Sequence, residues 1–507
     1  MVRSNARNAK ALPDGWVLTT LEQVCLPPQY GWTTSASKEG TLRFLRTSDI
    51  TSGDVDWASV PFCRDEPPNP EKYLLHDGDI VISRAGSVGY SFLVRNPQCA
   101  VFASYLIRFR PLVDDRYVAY FLQTASYWRA ISEKKLGIAV PNVNATKLKQ
   151  IFIPLAPLSE QHRIVAEIET QFTRLDAGVA ALKRAQANLW RYKASVLKAA
   201  CEGRLVPTEA ELARAEGRDY EPADVLLKRI LAERRAKWEA ENPGKKYKEP
   251  KRPETSKLSA LPEGWVWATI EQCVRIIDYR GRTPPYSDEG IPHLRTSNIR
   301  NGRVIWDDLR YVSEETYQRY MTRGLPQVGD LLFTTEAPLG EVAFAPERRF
   351  SLAQRMMILR PAKGLVSSGF LKCQLMSSGF QQMIRYRETG STVTGISSRN
   401  FRPSPVRVPP LEEQHRIVAE VERRLSVVEG LEKQVETALK RAERLRQAVL
   451  KHGFEGELVP QDPNDEPASV LLERIKAERD GQVGKGGRRV SKKPRAKDVT
   501  PEQLKLL

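Results

Sequence analysis

The chain has 507 residues, more than one hydrophobic core usually organises, so two or more domains are expected. Its 79 Lys and Arg against 62 Asp and Glu give a formal charge of +17, which points to a polyanionic partner, because neutralising phosphates releases counterions. Cys25, Cys63, Cys99, Cys201, Cys273 and Cys373 form no CxxC pair and stand apart from histidines at metal-ligand spacing. The first residues, MVRSNARNAK, hold no apolar signal core, and no run is apolar for the roughly 18 residues a bilayer span needs. No metal, no membrane and a reduced, cytoplasmic protein are therefore expected.

From Leu12 the chain mixes β-rich runs such as DIVISRAG with Gly/Pro turns and short helical pieces, including Arg116 to Glu133, which reads as an α+β domain over residues 1–158. Base reading needs paired donors and acceptors on loops or element ends. The candidates in this domain are Gln29, Tyr30 and Trp32 in PPQYGWTT, then Arg46, Ser48 and Asp49, then Arg84 and Tyr105, and finally Asn142, Asn144 and Lys147 in VPNVNATKLK. The GSVG at Gly86 to Gly89 lacks a following GK[ST] and reads as a turn between strands.

Residues 159–206 hold a proline-free run of strong helix formers with Val165, Ile168, Phe172, Leu175, Val179, Leu182, Leu189 and Val196 at steps of three and four, a heptad seam interrupted by Gln186 and Lys193. Residues 207–260 carry a second helical run, Ala223 to Glu241, and then NPGKKYKEPKRPETSK, a basic connector expected to be flexible.

At Leu261 the chain begins again. LPDGWVLTTLEQ returns as LPEGWVWATIEQ and LRTSDI as LRTSNI, both 249 residues later, and PLSEQHRIVAEIE returns as PLEEQHRIVAEVE with 11 of 13 positions identical. DIVISRAG finds a looser counterpart in DLLFTTEA, and EGRLVP returns as EGELVP. A second α+β domain is thus expected over 261–411, with candidates Arg280, Arg282, Tyr286, Arg295, Ser297, Asn298, Arg355, Thr392, Thr394, Ser397, Arg399 and Asn400. A second long helix fills 412–459, its seam of Val418, Val421, Leu425, Val428, Val435 and Val449 broken by Glu432; 460–507 adds a short helix, Ala468 to Asp480, and a basic tail expected to be disordered. Each long helix has only a partial apolar stripe, so the two should bury each other. Equivalent surfaces meeting across a pseudo-two-fold make the pair antiparallel, with a parallel pair as the alternative the sequence leaves open.

The paired LPxGW, PLxEQHRIVAE and EGxLVP segments, spread over about residues 12 to 480, resemble the specificity subunits of type I restriction-modification enzymes. The resemblance implies two tandem, pseudo-two-fold-related α+β target-recognition domains, each followed by a long helix, the helices forming an antiparallel coiled coil that spaces the halves of a bipartite, asymmetric double-stranded DNA site. It also implies a non-catalytic scaffold joined by two methyltransferase subunits and by restriction (endonuclease and translocase) subunits. S-adenosylmethionine, ATP and magnesium would belong to those partners, and no cofactor to this chain.

The residues bear on this independently. The shared segments stayed alike while the domain interiors diverged, as two different half-sites on one scaffold require. Glu160, Gln161 and Arg163, with their counterparts Glu413, Gln414 and Arg416, are partner or scaffold contacts, and the LPxGW tryptophan is core or a shared grip. The RTSD and RTSN pair reads either as a structural turn or as a phosphate-positioning one. TPPY at Thr283 to Tyr286 resembles the NPPY motif of amino-methyltransferases, yet threonine lacks the carbonyl that accepts from a target amine, and no Gly-rich donor loop follows a strand. A self-contained methyltransferase is therefore the weaker reading, as is a coiled-coil assembly protein without sequence specificity. His162 and His415 have no nucleophile beside them and read as first-turn helix contacts.

Overall fold

The computed structural model describes residues 11–135, 142–256, 258–279, 283–387 and 395–486. The chain divides into two compact units that do not follow chain order: Met1–Ala181 with Thr437–Leu507, and Leu182–Glu436.

In the first unit, Val17–Thr20 pairs antiparallel with Phe152–Leu155, so the strand that opens the domain binds the strand that leaves it for the helix. One four-stranded antiparallel sheet runs Gln29–Tyr30, Leu106–Phe109, Ile80–Ser83, Ser91–Leu93; a second runs Ala36–Ser37, Phe62–Cys63, Arg43–Leu45, Ala100–Phe102, its last two strands parallel. The continuous apolar run of Ile80–Ser83 is explained by burial on both faces, since Ile80, Val81 and Ile82 are fully buried. The second unit repeats this plan. Val266–Thr269 pairs with Pro405–Val408; Val274–Asp278, Met356–Pro361, Leu331–Thr334 and Val342–Phe344 form the antiparallel sheet; and Ile291–Leu294 lies parallel to Ser351–Leu352.

The two long helices are Leu158–Cys201 and Leu411–Phe454, and each passes from one unit into the other. Within the first unit, Ile164, Val165, Ile168 and Phe172 from the start of the first helix share a core with Leu450 and Phe454 from the end of the second. The Phe454 ring lies 4.8 Å from that of Tyr117. Within the second unit, Val196, Leu197 and Ala200 share a core with Ile417 and Val421. Two of the three polar interruptions of the seams meet each other: Lys193 Nζ lies 3.3 Å from Glu432 Oε2. The helix Ala468–Gly486 joins the first unit through Leu471 and Ile475, and Ala223–Glu241 joins the second through Leu226 and Leu227. The former runs past its expected end at Asp480; the rest of the basic tail lies outside the described residues. The basic connector is not the free linker expected. Pro250 is buried, Thr269 Oγ1 donates to the Lys251 carbonyl at 2.9 Å, and Trp267 Nε1 donates to the Ser259 carbonyl at 3.1 Å.

The shared segments meet at one buried polar junction per unit. In the first, Trp16 Nε1 donates to Glu160 Oε2 at 2.9 Å, Gln161 Nε2 donates to the Ala156 carbonyl at 2.7 Å, and Arg163 Nη2 pairs with Asp465 at 2.6 Å. In the second, Trp265 Nε1 donates to Glu413 Oε1 at 2.9 Å, Gln414 Nε2 donates to the Leu365 and Pro409 carbonyls at 2.9 Å, and Arg416 Nη1 pairs with Glu209 at 2.6 Å. The Glu209 amide also donates to Glu413 Oε2 at 2.9 Å. Glu160, Gln161, Glu413 and Gln414 are all fully or almost fully buried, so the polar half of the EQHR segment faces inward rather than out to solvent.

Burial pushes the Glu413 carboxyl up to about 6, against the stabilising bonds from the Glu209 amide and Trp265. Glu209 itself, although burial works the other way, is held below the ordinary range by hydrogen bonds from Arg416 and Arg218, so its own titration falls at lower pH. Folding therefore favours protonated Glu413, and the stability this confers is lost as pH rises from the ordinary glutamate range through about 6. Glu413→Gln fixes the neutral form. Between about pH 4.5 and 7 the difference in unfolding free energy between variant and wild type should shift in the variant's favour by on the order of 2 kcal/mol. Thermal or urea melts at the two pH values check this, and a pH-independent difference would count against it.

Candidate nucleic-acid interface

The candidates of the first domain come from five separate segments, and the sheet brings most of them to one end. Arg46 follows strand Arg43–Leu45, and Ser104 and Tyr105 follow its parallel neighbour Ala100–Phe102; Arg84 follows Ile80–Ser83. Three backbone contacts lock these ends together: Trp32 N donates to the Phe102 carbonyl at 2.8 Å, Arg84 N to that of Tyr105 at 2.9 Å, and Val143 N to that of Arg84 at 3.0 Å. Tyr30 ties in two more. Its hydroxyl accepts from the Ala145 amide at 3.0 Å, and the Arg84 guanidinium sits 5.0 Å from its ring centroid, within cation–π range. Tyr105 is exposed, while Asn144 caps the helix carrying Lys147 by accepting from the Lys147 amide at 2.9 Å.

The second domain builds the same frame with other side chains. Thr335 N donates to the Arg355 carbonyl at 2.9 Å and Ile396 N to that of Thr335 at 2.9 Å, as Arg84 and Val143 do in the first. The isolated bridge Ala85–Asn142 returns as Glu336–Gly395. Arg355 thus stands where Tyr105 stands, and Glu336 where Ala85 stands. Ser397 caps Asn400 by accepting from its amide at 3.2 Å in the short helix that also carries Arg399. Tyr286 packs 5.5 Å from His293 ring to ring, with the Arg310 guanidinium 4.6 Å from its centroid. Arg280, Arg282, Thr392 and Thr394 lie outside the described residues.

Several candidates use their polar atoms inside the fold. Gln29 Oε1 accepts from Arg108 at 2.6 Å while its Nε2 donates to the Lys72 carbonyl at 2.8 Å, so this amide faces the sheet and not a base. Beneath it, burial drags the Arg108 guanidinium down to about 10, despite nearby Asp79. Trp32 Nε1 donates to the Asp65 carbonyl at 2.7 Å. In the RTSD turn Asp49 grips the Arg46 amide at 2.8 Å and its guanidinium at 2.7 Å, leaving Ser48 exposed between them; in RTSN the nearly buried Asn298 accepts from the Arg295 amide at 3.0 Å and donates to Ile305 and Asp307. Ser297 is likewise exposed in that turn. Asp49 and Asn298 thus brace the two turns from within through the amides of Arg46 and Arg295. Around them Thr47 Oγ1, Arg84 Nε and Asn142 Oδ1 in the first domain, and Arg295 Nε in the second, are buried without a partner, as are Glu160 Oε1 and Arg416 Nε at the two helix junctions. Glu336 and Arg310 were not among the sequence candidates; aligning DIVISRAG with DLLFTTEA would have singled out Glu336.

His162 and His415 lie near Asp114 and Glu412 at the first turns of the long helices, 3.5 and 3.8 Å away. Among the described residues no cluster of three or more His, Cys, Asp or Glu could hold a metal ion, and no helix is long and apolar enough to cross a membrane.

A family model described as the type I restriction modification DNA specificity domain matches residues 13–181 and again 262–441. The EcoKI type I restriction enzyme specificity subunit of Escherichia coli K12 is 27% identical, covering 96% of this chain and 99% of that one. The StySPI specificity subunit of Salmonella potsdam is 24% identical, covering 96% of this chain and 99% of that one. A solved chain from work on complex assembly and conformational transition of the type I R-M system superposes with a TM-score of 0.60 at 20% identity, over 89% of this chain and all of that one, a likeness of fold.

Gly31 is the residue that lets the 29–34 segment approach the Ala103 strand end. A Cβ there would meet the Phe102 and Ala103 carbonyl oxygens at 2.2 Å. Gly31→Ala should destabilise the first unit by several kcal/mol, because backbone rather than a flexible side chain must move. Hydrogen exchange should show the Trp32 and Ser104 amides deprotected, and unchanged protection would disprove the close approach.

Proposed function

We infer, from the premise that this chain belongs to the type I restriction-modification DNA specificity family, that it reads a bipartite, asymmetric duplex site with one domain per half. The observation that carries this is the duplicated frame with different side chains at matched points: Tyr105 against Arg355 and Ala85 against Glu336. One fold thus offers two chemistries to the major groove. The arginines at the matched end, Arg46 and Arg84 in the first domain and Arg295 and Arg355 in the second, support that end as the DNA face.

On this reading the long helices pair antiparallel as a coiled coil and act as the spacer between half-sites. The helix beginnings and ends that share each core support this arrangement. Two methyltransferase subunits and the restriction subunits join the scaffold in the cytoplasm. S-adenosylmethionine, ATP and magnesium are used there, and this chain has no catalytic centre. A self-contained methyltransferase is disfavoured by the lack of a donor-binding fingerprint in the sequence and by the Thr283 that stands at the acidic or amide position of the NPPY-like segment.

Methylome sequencing of a host carrying the chain with its partners tests the reading directly: one motif with two specified halves around an unspecified spacer is expected. The purified chain alone should transfer no methyl group from S-adenosylmethionine and cut no DNA with ATP and magnesium, and robust activity in a partner-free preparation would refute the scaffold role.

A fragment from Met1 to Pro250 lacks the 437–475 segment that covers Ile164, Ile168 and Phe172. Exposing these side chains costs several kcal/mol at about 25 cal/mol per Å2. The fragment should therefore dimerise and, with methyltransferase partners, mark an interrupted palindrome made from the first half-site. Sedimentation and methylome sequencing would read this out; a well-folded monomer or a non-palindromic motif would defeat the two-fold helix pairing.

A further inference from the structure

We infer that the Glu336–Arg355 ion pair selects a guanine in the half-site read by the second domain, and that the first domain has no such requirement at the matched base. This rests on the DNA-reading assignment above and gives it a chemical identity.

Three features of the second domain build the pair. The bridge between Glu336 and Gly395 holds the Glu336 backbone, and Gly395 is needed there because a Cβ would meet the Thr335 carbonyl oxygen at 2.9 Å and Glu336 Cβ at 2.8 Å. Thr296 Oγ1 of the RTSN turn donates to the Ala337 carbonyl at 2.9 Å, fixing the residue after Glu336. The Glu336 carboxylate then takes the Arg355 Nε at 3.0 Å. The Arg355 backbone is fixed in turn by the Thr335 amide.

The consequence follows from guanidinium geometry. With the guanidinium ion-paired to a carboxylate 3.0 Å from its Nε, rotation of the planar fork is restrained, and the Nη1 and Nη2 nitrogens, for which no hydrogen bond is found among the described residues, offer a two-donor edge. That edge matches the O6 and N7 acceptors of guanine, the one base presenting two acceptors side by side in the major groove. Arg355 is the base-contacting residue and Glu336 the positioning residue. In the first domain the same two positions hold Tyr105 and Ala85, which carry neither the fork nor its anchor, and the matching threonine, Thr47, has its hydroxyl buried without a partner instead of bonded to the strand end.

The test uses the full chain with its partner subunits and reads the methylated motif. Wild type should require a G·C pair at one position of the second half. Arg355→Ala and Arg355→Lys should both relax that position, with the preference for guanine falling roughly 10- to 100-fold, because an ammonium keeps the charge but loses the fork. Glu336→Ala should relax it less. The first half of the motif should stay unchanged in these three variants, which also shows that the protein is folded. The combined variant Ala85→Glu with Tyr105→Arg should add a G·C requirement to the first half. A second half unchanged by Arg355→Ala, an Arg355→Lys variant that keeps full guanine preference, or an equal loss of binding to all sequences would overturn the pair while leaving the reading of half-sites intact. A wild-type chain that directs no bipartite methylation would overturn that reading, and the pair with it.

Discussion

A tryptophan N–H buried against a glutamate carboxylate is the contact on which the rest of each unit depends. Trp16 and Glu160 are 144 residues apart, as are the two ends of the domain they close, and Trp265 and Glu413 repeat the arrangement at a separation of 148. A carboxylate in an apolar setting is costly unless its lone pairs are met. Here the tryptophan meets one, and the neighbouring glutamine satisfies the backbone where the last strand turns into the helix. The arginine one turn on reaches an acid from the opposite repeat, Asp465 or Glu209. The EQxR triplet thus fixes domain to helix and one repeat to the other.

That junction explains why two copies of one sequence kept some segments and lost others. LPxGW supplies the tryptophan, EQHR the three polar groups, and the segment after EGxLVP the acid, so a change in any of them strands a buried partner. The strand ends that carry Ala85 and Tyr105 in one copy and Glu336 and Arg355 in the other have no such obligation. Variation is concentrated where the backbone frame is self-supporting and the side chains project from it.

Much of the architecture was legible from local pattern. The duplication, the α+β character of each domain and both long helices followed from repeated words and from three-four spacing; the helix Ala223–Glu241 has the bounds its composition suggested. Contacts that join distant residues were not legible. Glu160 and Gln161 look like solvent-facing charge in a helix start, and only the tertiary partners Trp16 and Ala156 turn them inward. Lys193 and Glu432 each read as a flaw in a seam, because their complementarity appears only when the two helices are set side by side. Gln29 carries the amide a base reader needs, yet its neighbour across the sheet, Arg108, claims it. Residue type announces what a side chain can bind, whereas the partner it finds inside the fold decides whether it is free to do so.

The division of the chain has a temporal side. The second unit, Leu182–Glu436, is one continuous stretch, but the first is assembled from Met1–Ala181 and Thr437–Leu507. On a ribosome adding about 5 to 20 residues per second, the core face of Ile164, Ile168 and Phe172 waits tens of seconds for Leu450 and Phe454 to emerge. The domain made first is therefore finished last, after the domain made second has everything it needs. During that interval its helix face stands without the side chains that complete its core, and the speed of translation sets how long that exposure lasts.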